Sequence, residues 1–174
     1  MKTLELLCQS IRDVQDFPKK GIIFKDITTL LKDPKRFKQA VDAMYKQYKG
    51  KKIDEVVCVE ARGFIFGAVL AYKLNAGLVL VRKKGKLPYK TYEITYALEY
   101  GEDTLAIHQD AIKPQGRVLI VDDVLATGGT INAVCKLLKK SKAKIVGIGF
   151  LIELEFLKGR KKLKGYSISS LIKY

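Results

Sequence analysis

The sequence predicts an α/β protein, a parallel sheet flanked by helices, and three observations predict it. Apolar runs of strand length alternate with segments of helical spacing. One such run, in "RVLIVDDVLATGGT", ends on two adjacent carboxylates and a small-residue turn before a helical stretch. Of the 174 residues, 48% are hydrophobic, enough for a real core in one domain of ordinary size. No repeat, linker or low-complexity segment divides residues 1–174.

Leu4, Leu7, Ile11 and Val14 recur at helical spacing, so the chain is expected to open with an amphipathic helix. Pro18 and Gly21 mark a turn before the apolar run in "GIIFKDITTLL". Asp33 followed by Pro34 reads as an N-cap with proline at the first helical position, and Phe37, Val41, Met44 and Tyr48 continue that helix to Gly50. "EVVCVEARG" is a strand entering a turn, and "FIFGAVLAYKL" is apolar enough for a buried helix. "GLVLVRK" is a strand, and residues 82–94, basic and aperiodic around Pro88, read as a mobile loop. "ITYALEY" alternates like a strand, with "TLAIHQ" as a pairing partner. The strand "RVLIVDD", a helix near "TINAVCKLLKK", the strand "KIVGIGFLIEL" and a terminal strand "YSISSLI" complete the series.

Lys and Arg total 33 against 18 Asp and Glu, a formal charge of +15. That surplus admits nucleic acid, an anionic membrane or phosphorylated small molecules as partners, and equally a plain solvated surface. Cys8, Cys58 and Cys135 lie too far apart for a zinc spacing or a disulfide framework, which suits a reducing cytoplasm. Cys58 lies within an apolar run and reads as a buried thiol. The N-terminus does not read as a secretory signal, and no segment approaches the roughly 18 apolar residues of a membrane span. His108, the only histidine, reads as a surface residue, and "KGRKKLKG" as a solvated basic face.

The chemistry gathers at "VLIVDDVLATGGT". Ligands of open α/β sheets bind at the carboxyl ends of strands, where Asp122 and Asp123 fall. Small residues at Ala126, Gly128 and Gly129 let backbone N–H groups converge ahead of a helix N-terminus, and Thr127 and Thr130 add hydroxyls. That combination cradles one phosphate. The acids before it accept only, as suits a sugar diol or a hydrated Mg²⁺. A sugar phosphate satisfies both halves; the plainer alternative is a strand-end turn whose acids cap a helix. No G-x-x-x-x-G-K-[ST] is present, so this is not a P-loop, and with no helix-opening G-x-G-x-x-G a dinucleotide fold is unsupported.

The same stretch resembles the phosphoribosyl-diphosphate-binding motif of type I phosphoribosyltransferases. "DFPKKGIIFKDITTLLKDP", "EARGFIFG", "VRKKGKLP", "YALEYG" and "LIELEFLKGRKKLKGY" are similar, in order and spacing, to the adenine phosphoribosyltransferases of that family. The resemblance runs from about residue 12 to the C-terminus. It implies a type I phosphoribosyltransferase-like parallel sheet with a small hood built partly from residues 1–30. It also implies a purine salvage reaction in which ribose 5-phosphate passes from 5-phosphoribosyl 1-diphosphate to adenine, giving AMP and diphosphate, with Mg²⁺ held mainly through the substrate. A cytoplasmic homodimer follows, without membrane or nucleic-acid partners.

Carried onto this sequence, the resemblance assigns the ribose hydroxyls to Asp122 and Asp123 and the 5-phosphate to Ala126, Thr127, Gly128, Gly129 and Thr130. Glu60, Ala61, Arg62 and Gly63 become the diphosphate loop, with a non-proline cis peptide expected within Glu60–Arg62. Arg82 and Lys86 supply further cations, and Glu99 is the acid–base residue at the purine. Ile23 and Lys25 read the adenine edge through their backbone, and Phe24 and Leu154 sandwich the ring. Lys20 and Lys25 depart from the proline and arginine common there, and Ala61 from a serine. Two rival functions remain at this stage: transfer to another base, and a nucleic-acid-binding regulator on the same fold.

Overall fold

The computed structural model describes residues 2–97 and 101–174. Its centre is a seven-stranded sheet built from β3 (Glu55–Val59), β4 (Gly77–Lys83), β5 (Thr91–Ala97), β6 (Glu102–His108), β7 (Arg117–Leu125), β8 (Lys144–Glu153) and β9 (Ile168–Lys173), in the order β5-β6-β4-β3-β7-β8-β9. β4, β3, β7, β8 and β9 run parallel, while β6 pairs antiparallel with both β4 and β5. The chain steps from β3 to β4 on one side and returns with β7 on the other. A crevice therefore opens at the carboxyl ends of β3 and β7, the topological switch point.

Strand alternation divides the core between the two faces of this sheet. Val57, Val59, Val118 and Ile120 turn toward α5 (Gly129–Lys140), whose Ile131, Val134, Leu137 and Leu138 are buried there. Val56, Leu119 and Val121 face the opposite layer with α1 (Lys2–Gln9), α3 (Pro34–Tyr48) and α4 (Gly63–Leu74). α3 begins as expected: the Asp33 carboxylate accepts from the N–H groups of Lys35 and Arg36, with Pro34 behind it. α4 ends on Asn75 in the left-handed conformation, whose N–H closes on Ala71 and Tyr72.

Several expectations need correction. The opening helix stops at Gln9, because Val14 belongs to β1 (Arg12–Gln15), which pairs antiparallel with β2 (Ile23–Asp26) as a separate two-stranded sheet. Ile11 is buried in the bend between α1 and β1. Pairing outside the local window, with Val14 opposite Phe24, overrides the helical spacing there. The remainder of "GIIFKDITTLL" forms a short helix, α2 (Thr28–Lys32). The basic loop shrinks to residues 84–90, since β4 extends through Lys83 and β5 starts at Thr91. Antiparallel pairing with β6 recruits both ends of the expected loop, and polar side chains on the outer face hide the strand period. α4 is not wholly buried: Phe66, Leu70 and Ala71 are in the core, but Ile65 and Tyr72 are exposed. His108 is half-buried on β6, edge-on to Tyr89, with its Nε2 atom enclosed and unpaired.

Close packing of α4 on β3 depends on Gly67. A Cβ there would meet the Cβ of Cys58 at 2.5 Å and its Sγ at 2.9 Å. Cys58 is fully buried, as its sequence setting implied, and burial pushes its thiol up to about 12, so it acts as a small apolar wall. Gly67→Ala is expected to destabilise the fold by about 1–3 kcal/mol through overpacking. Denaturant titration reads this directly, and a midpoint equal to wild type would contradict the contact.

Candidate active site

Five segments converge on the crevice. A cavity of about 360 Å³ is lined by Ile22–Lys25 entering β2, Val59–Arg62 at the end of β3 and beyond it, Asp122–Val124 on β7, Ala126 and Thr130 around the turn into α5, and Leu154 after β8. A smaller cavity of about 70 Å³ adjoins it, enclosed by residues 124–131 and Asp122. Of the expected residues, Ile23, Phe24, Lys25, Glu60, Ala61, Arg62, Asp122, Asp123, Ala126, Thr130 and Leu154 share the larger cavity. Thr127, Gly128 and Gly129 line the smaller one. Gly63 stands behind Arg62 as the first residue of α4. Lys86 is exposed on the 84–90 loop and lines neither. Glu99 lies outside the described residues.

The turn after β3 is shaped for close approach. The Glu60–Ala61 peptide is cis, as the sequence resemblance led us to expect. The Glu60 carboxylate accepts from Arg82 Nε at 3.0 Å and from the Lys83 N–H at 2.9 Å, which ties the turn to the end of β4. Arg82 also donates to the Lys86 carbonyl at 3.1 Å, so one guanidinium holds both the turn and the base of the basic loop. At Gly63 a Cβ would lie 2.8 Å from Asp122 Oδ1, so the absent side chain lets the acid sit against the N-terminus of α4.

Asp122 and Asp123 are the electrostatic centre. Asp122 Oδ1 accepts from the Asp123 N–H at 2.9 Å. Arg62 Nε lies 2.7 Å from Asp123 Oδ2, yet it is not aligned as a donor, and that oxygen is enclosed without a hydrogen bond. The same guanidinium sits 5.0 Å above the Phe24 ring. Burial raises the Asp122 carboxyl well above its ordinary value, and the neighbouring Asp123 charge adds to the rise. Burial also raises Asp123, against the opposing pull of Arg62.

The turn into α5 has the form of an anion cradle. Gly128 takes a φ of +78° and caps the helix, Asn132 N–H closes on its carbonyl, and Thr130 Oγ1 lies 3.3 Å from the Tyr96 hydroxyl. Free N–H groups at a helix start, in glycine-permitted geometry, favour a dianion. At the β2 wall, the Lys25 side chain turns away: Nζ bonds both oxygens of Asp13 at 2.7 and 2.9 Å and lies over the Tyr174 ring. Only its backbone is left for the cavity.

Sequence reasoning missed Tyr96 at the turn into α5, and Ile22, Val59 and Val124 as cavity walls. It also missed the pairing of Arg160 with Glu153 and read the basic stretch around Arg160 as plain solvated surface. One signal was available: Glu153, like Asp122, is an acid that closes a long apolar run.

An acid pair and a phosphate-cradling turn at the switch point of a mostly parallel sheet, beside a cis turn and under a separate two-stranded sheet, define the type I phosphoribosyltransferase class. The phosphoribosyl transferase domain family matches residues 27–171. The adenine phosphoribosyltransferase of Syntrophotalea carbinolica is 60% identical over 171 residues, 98% of this chain and 100% of that one. The crystal structure of adenine phosphoribosyltransferase from Thermoanaerobacter pseudethanolicus superposes with a TM-score of 0.95 at 54% identity, covering 98% of this chain and 99% of that one. The Saccharomyces cerevisiae enzyme, complexed with an imino-altritol bisphosphate and adenine, superposes at 0.92 with 37% identity, covering 98% of each chain. The chain belongs to the phosphoribosyltransferase family and, within it, to the adenine phosphoribosyltransferases.

The raised acids set a pH dependence. In the folded chain they hold protons that the unfolded chain, near the ordinary value of 3.8, has already released. Stability linked to them is complete below that value and is lost as pH rises through the raised values. Asp122→Asn is therefore expected to raise the melting temperature of the ligand-free protein at pH 7.5 by about 2–4 °C, the shift that 1 kcal/mol produces at this size. The gain should vanish at pH 3.5. Paired thermal melts check it, and a variant less stable than wild type at pH 7.5 would contradict the burial penalty.

Proposed function

We propose that this chain transfers the 5-phosphoribosyl group of 5-phosphoribosyl 1-diphosphate to N9 of adenine, releasing diphosphate and forming AMP in purine salvage. One observation carries the reading: a single cleft joins an apolar slot, a diol-accepting acid pair and a phosphate cradle, in the order of the parts of AMP. Phe24 and Leu154 flank the base. The backbone carbonyl of Ile23 accepts from the exocyclic amine and the N–H of Lys25 donates to N1, supported by the diversion of the Lys25 side chain to Asp13. Asp122 and Asp123 take the ribose hydroxyls, and residues 126–130 take the 5-phosphate.

In the reaction the C1–O bond to diphosphate breaks and the N9–C1 bond forms. Positive charge develops on the ribose ring and negative charge on the leaving group, which departs with the bonding electron pair. Arg62 and the Ala61–Gly63 backbone take that developing negative charge, and the cations Arg82 and Lys86, which line neither cavity, add to it from the end of β4 and the adjoining basic loop. Arg62 does so once it exchanges Asp123 for the diphosphate. Glu99 exchanges the N9 proton. The acceptor-only pair, with an enclosed oxygen on Asp123, fits a Mg²⁺ that is held chiefly by substrate oxygens and water. When bound, Mg²⁺ neutralises charge on the diphosphate.

The test is the specificity constant for adenine, hypoxanthine and guanine in a diphosphate-release assay. Hypoxanthine presents a carbonyl and a protonated N1, the wrong polarity at both backbone contacts. Buried hydrogen-bond readout of this kind discriminates by about 10⁴–10⁵-fold. Equal constants for adenine and hypoxanthine would overturn the base assignment.

We read the assembly as a homodimer in a reducing cytoplasm. The three free cysteines support the compartment. For the dimer the support is α4, where Ile65 and Tyr72, the latter 88% exposed, lie on a helix with Lys73 as its one charged residue. On a chain of charge +15, a second copy meets least repulsion on such a face, and a two-fold axis lets it cover itself. Sedimentation equilibrium is expected to give a dimer for wild type and a monomer for Tyr72→Lys; a dimer in both would move the interface elsewhere.

A further inference from the structure

The segment after β8 is not a solvated appendage. Residues Gly159–Leu163 form a 3-10 turn whose first residue presses backbone to backbone on the phosphate cradle. A Cβ on Gly128 would lie 2.5 Å from the Gly159 carbonyl oxygen. In return, a Cβ on Gly159 would overlap the Ala126 carbonyl oxygen and lie 3.0 Å from Leu125 Cδ1. No side chain separates the two loops. Gly159 is buried, and Leu163 anchors the far end of the turn in the core beneath α5.

One guanidinium fixes where this turn stands. Arg160 donates from Nε and Nη2 to the two oxygens of Glu153, at 2.6 and 2.7 Å, and from Nη1 to the Ile168 carbonyl at 3.2 Å. Glu153 is 4% exposed, ends β8 and lies between Leu125 on β7 and Lys173 on β9. The Arg160 hydrogen bonds hold its carboxyl below the usual value, so the pair stays ionised at neutral pH. A bidentate pair of this kind restricts direction as well as distance. The line of contact runs from the β8 end through Arg160 to Gly159, and then to the backbone of Ala126 and Gly128.

We propose that Gly159 and the Arg160–Glu153 pair are positioning residues for the phosphate cradle, holding the Ala126–Gly128 backbone in the shape that receives the 5-phosphate. The proposal rests on the phosphoribosyl reading of the cleft. Gly159 and Arg160 line no part of the adenine slot, and Glu153 adjoins it only through the backbone of Leu154, so their loss acts mainly on one substrate.

Steady-state kinetics of Gly159→Ala, Arg160→Lys and Glu153→Gln, with AMP as a competitive inhibitor, separates the outcomes. In Gly159→Ala, KM for 5-phosphoribosyl 1-diphosphate and the inhibition constant of AMP should both rise on the order of 10–100-fold, as expected for a displacement near 1 Å. KM for adenine should stay within twofold. Arg160→Lys keeps the charge without the fork and should show the same split at smaller size, as should Glu153→Gln. If Gly159→Ala does not fold, these two decide. A fall in kcat with both KM values unchanged would mean only less folded enzyme and would overturn the proposal, as would equal rises in both KM values. Wild type that AMP does not inhibit would instead remove the phosphoribosyl reading, and the proposal with it.

Discussion

Two adjacent carboxylates closing a buried strand are the constraint around which the rest of the structure is arranged. Asp122 and Asp123 are held where burial disfavours their charge, and the fold answers locally rather than by moving them. Gly63 brings the N-terminus of α4 against Asp122, the Asp123 N–H bonds the Asp122 carboxylate, and Arg62 is drawn across to Asp123. Each response leaves capacity unused. Asp123 Oδ2 still lacks an aligned donor, which is a poor arrangement for stability and a suitable one for a diol.

That constraint explains why small residues concentrate where they do. Gly63 faces Asp122, Gly128 faces Gly159, and Gly159 faces Ala126. At all three places two backbones, or a backbone and an acid, approach more closely than a Cβ allows. At these places the main chain comes close to the cleft, and main-chain donors reorganise little as charge develops. Arg82 serves the same end from the other side, since its bonds to Glu60 and the Lys86 carbonyl fix the cis turn relative to the basic loop.

Much of this was legible from the chain. The parallel strands were visible as apolar runs because both of their faces are covered, and the turn into α5 was visible because its residue types are rarely assembled together. The β1–β2 pair was not, since Val14 continues a helical spacing by coincidence and its partner Phe24 is ten residues away. The exposed face of α4 was hidden for a different reason: a helix as apolar as this one has the composition of a core helix whether or not every face is covered. Phe24 and Leu154 could be assigned to the cavity only through resemblance, because one aromatic among isoleucines is ordinarily core. The Glu153–Arg160 pair is seven positions apart and crosses a turn, so no periodicity reports it.

The positive surplus acquires a physical meaning once its partners are located. Lys73, Lys83, Lys84 and Lys173 are paired with Asp42, Asp103, Glu93 and Glu155, away from the acid pair of the cleft. Inside the cleft, Arg62 and Arg82 are already matched to Asp123 and Glu60. The walls of the site are thus close to neutral while the whole chain carries +15. Long-range attraction of a polyanionic substrate therefore comes from the surface, where salt screens it over about 8–10 Å. Inside the cleft Arg62 is already engaged by Asp123, so an anion that reaches it must compete with a neighbouring carboxylate. Charge approaching and charge binding are handled by different residues, so the affinity of the site need not track the net charge of the protein.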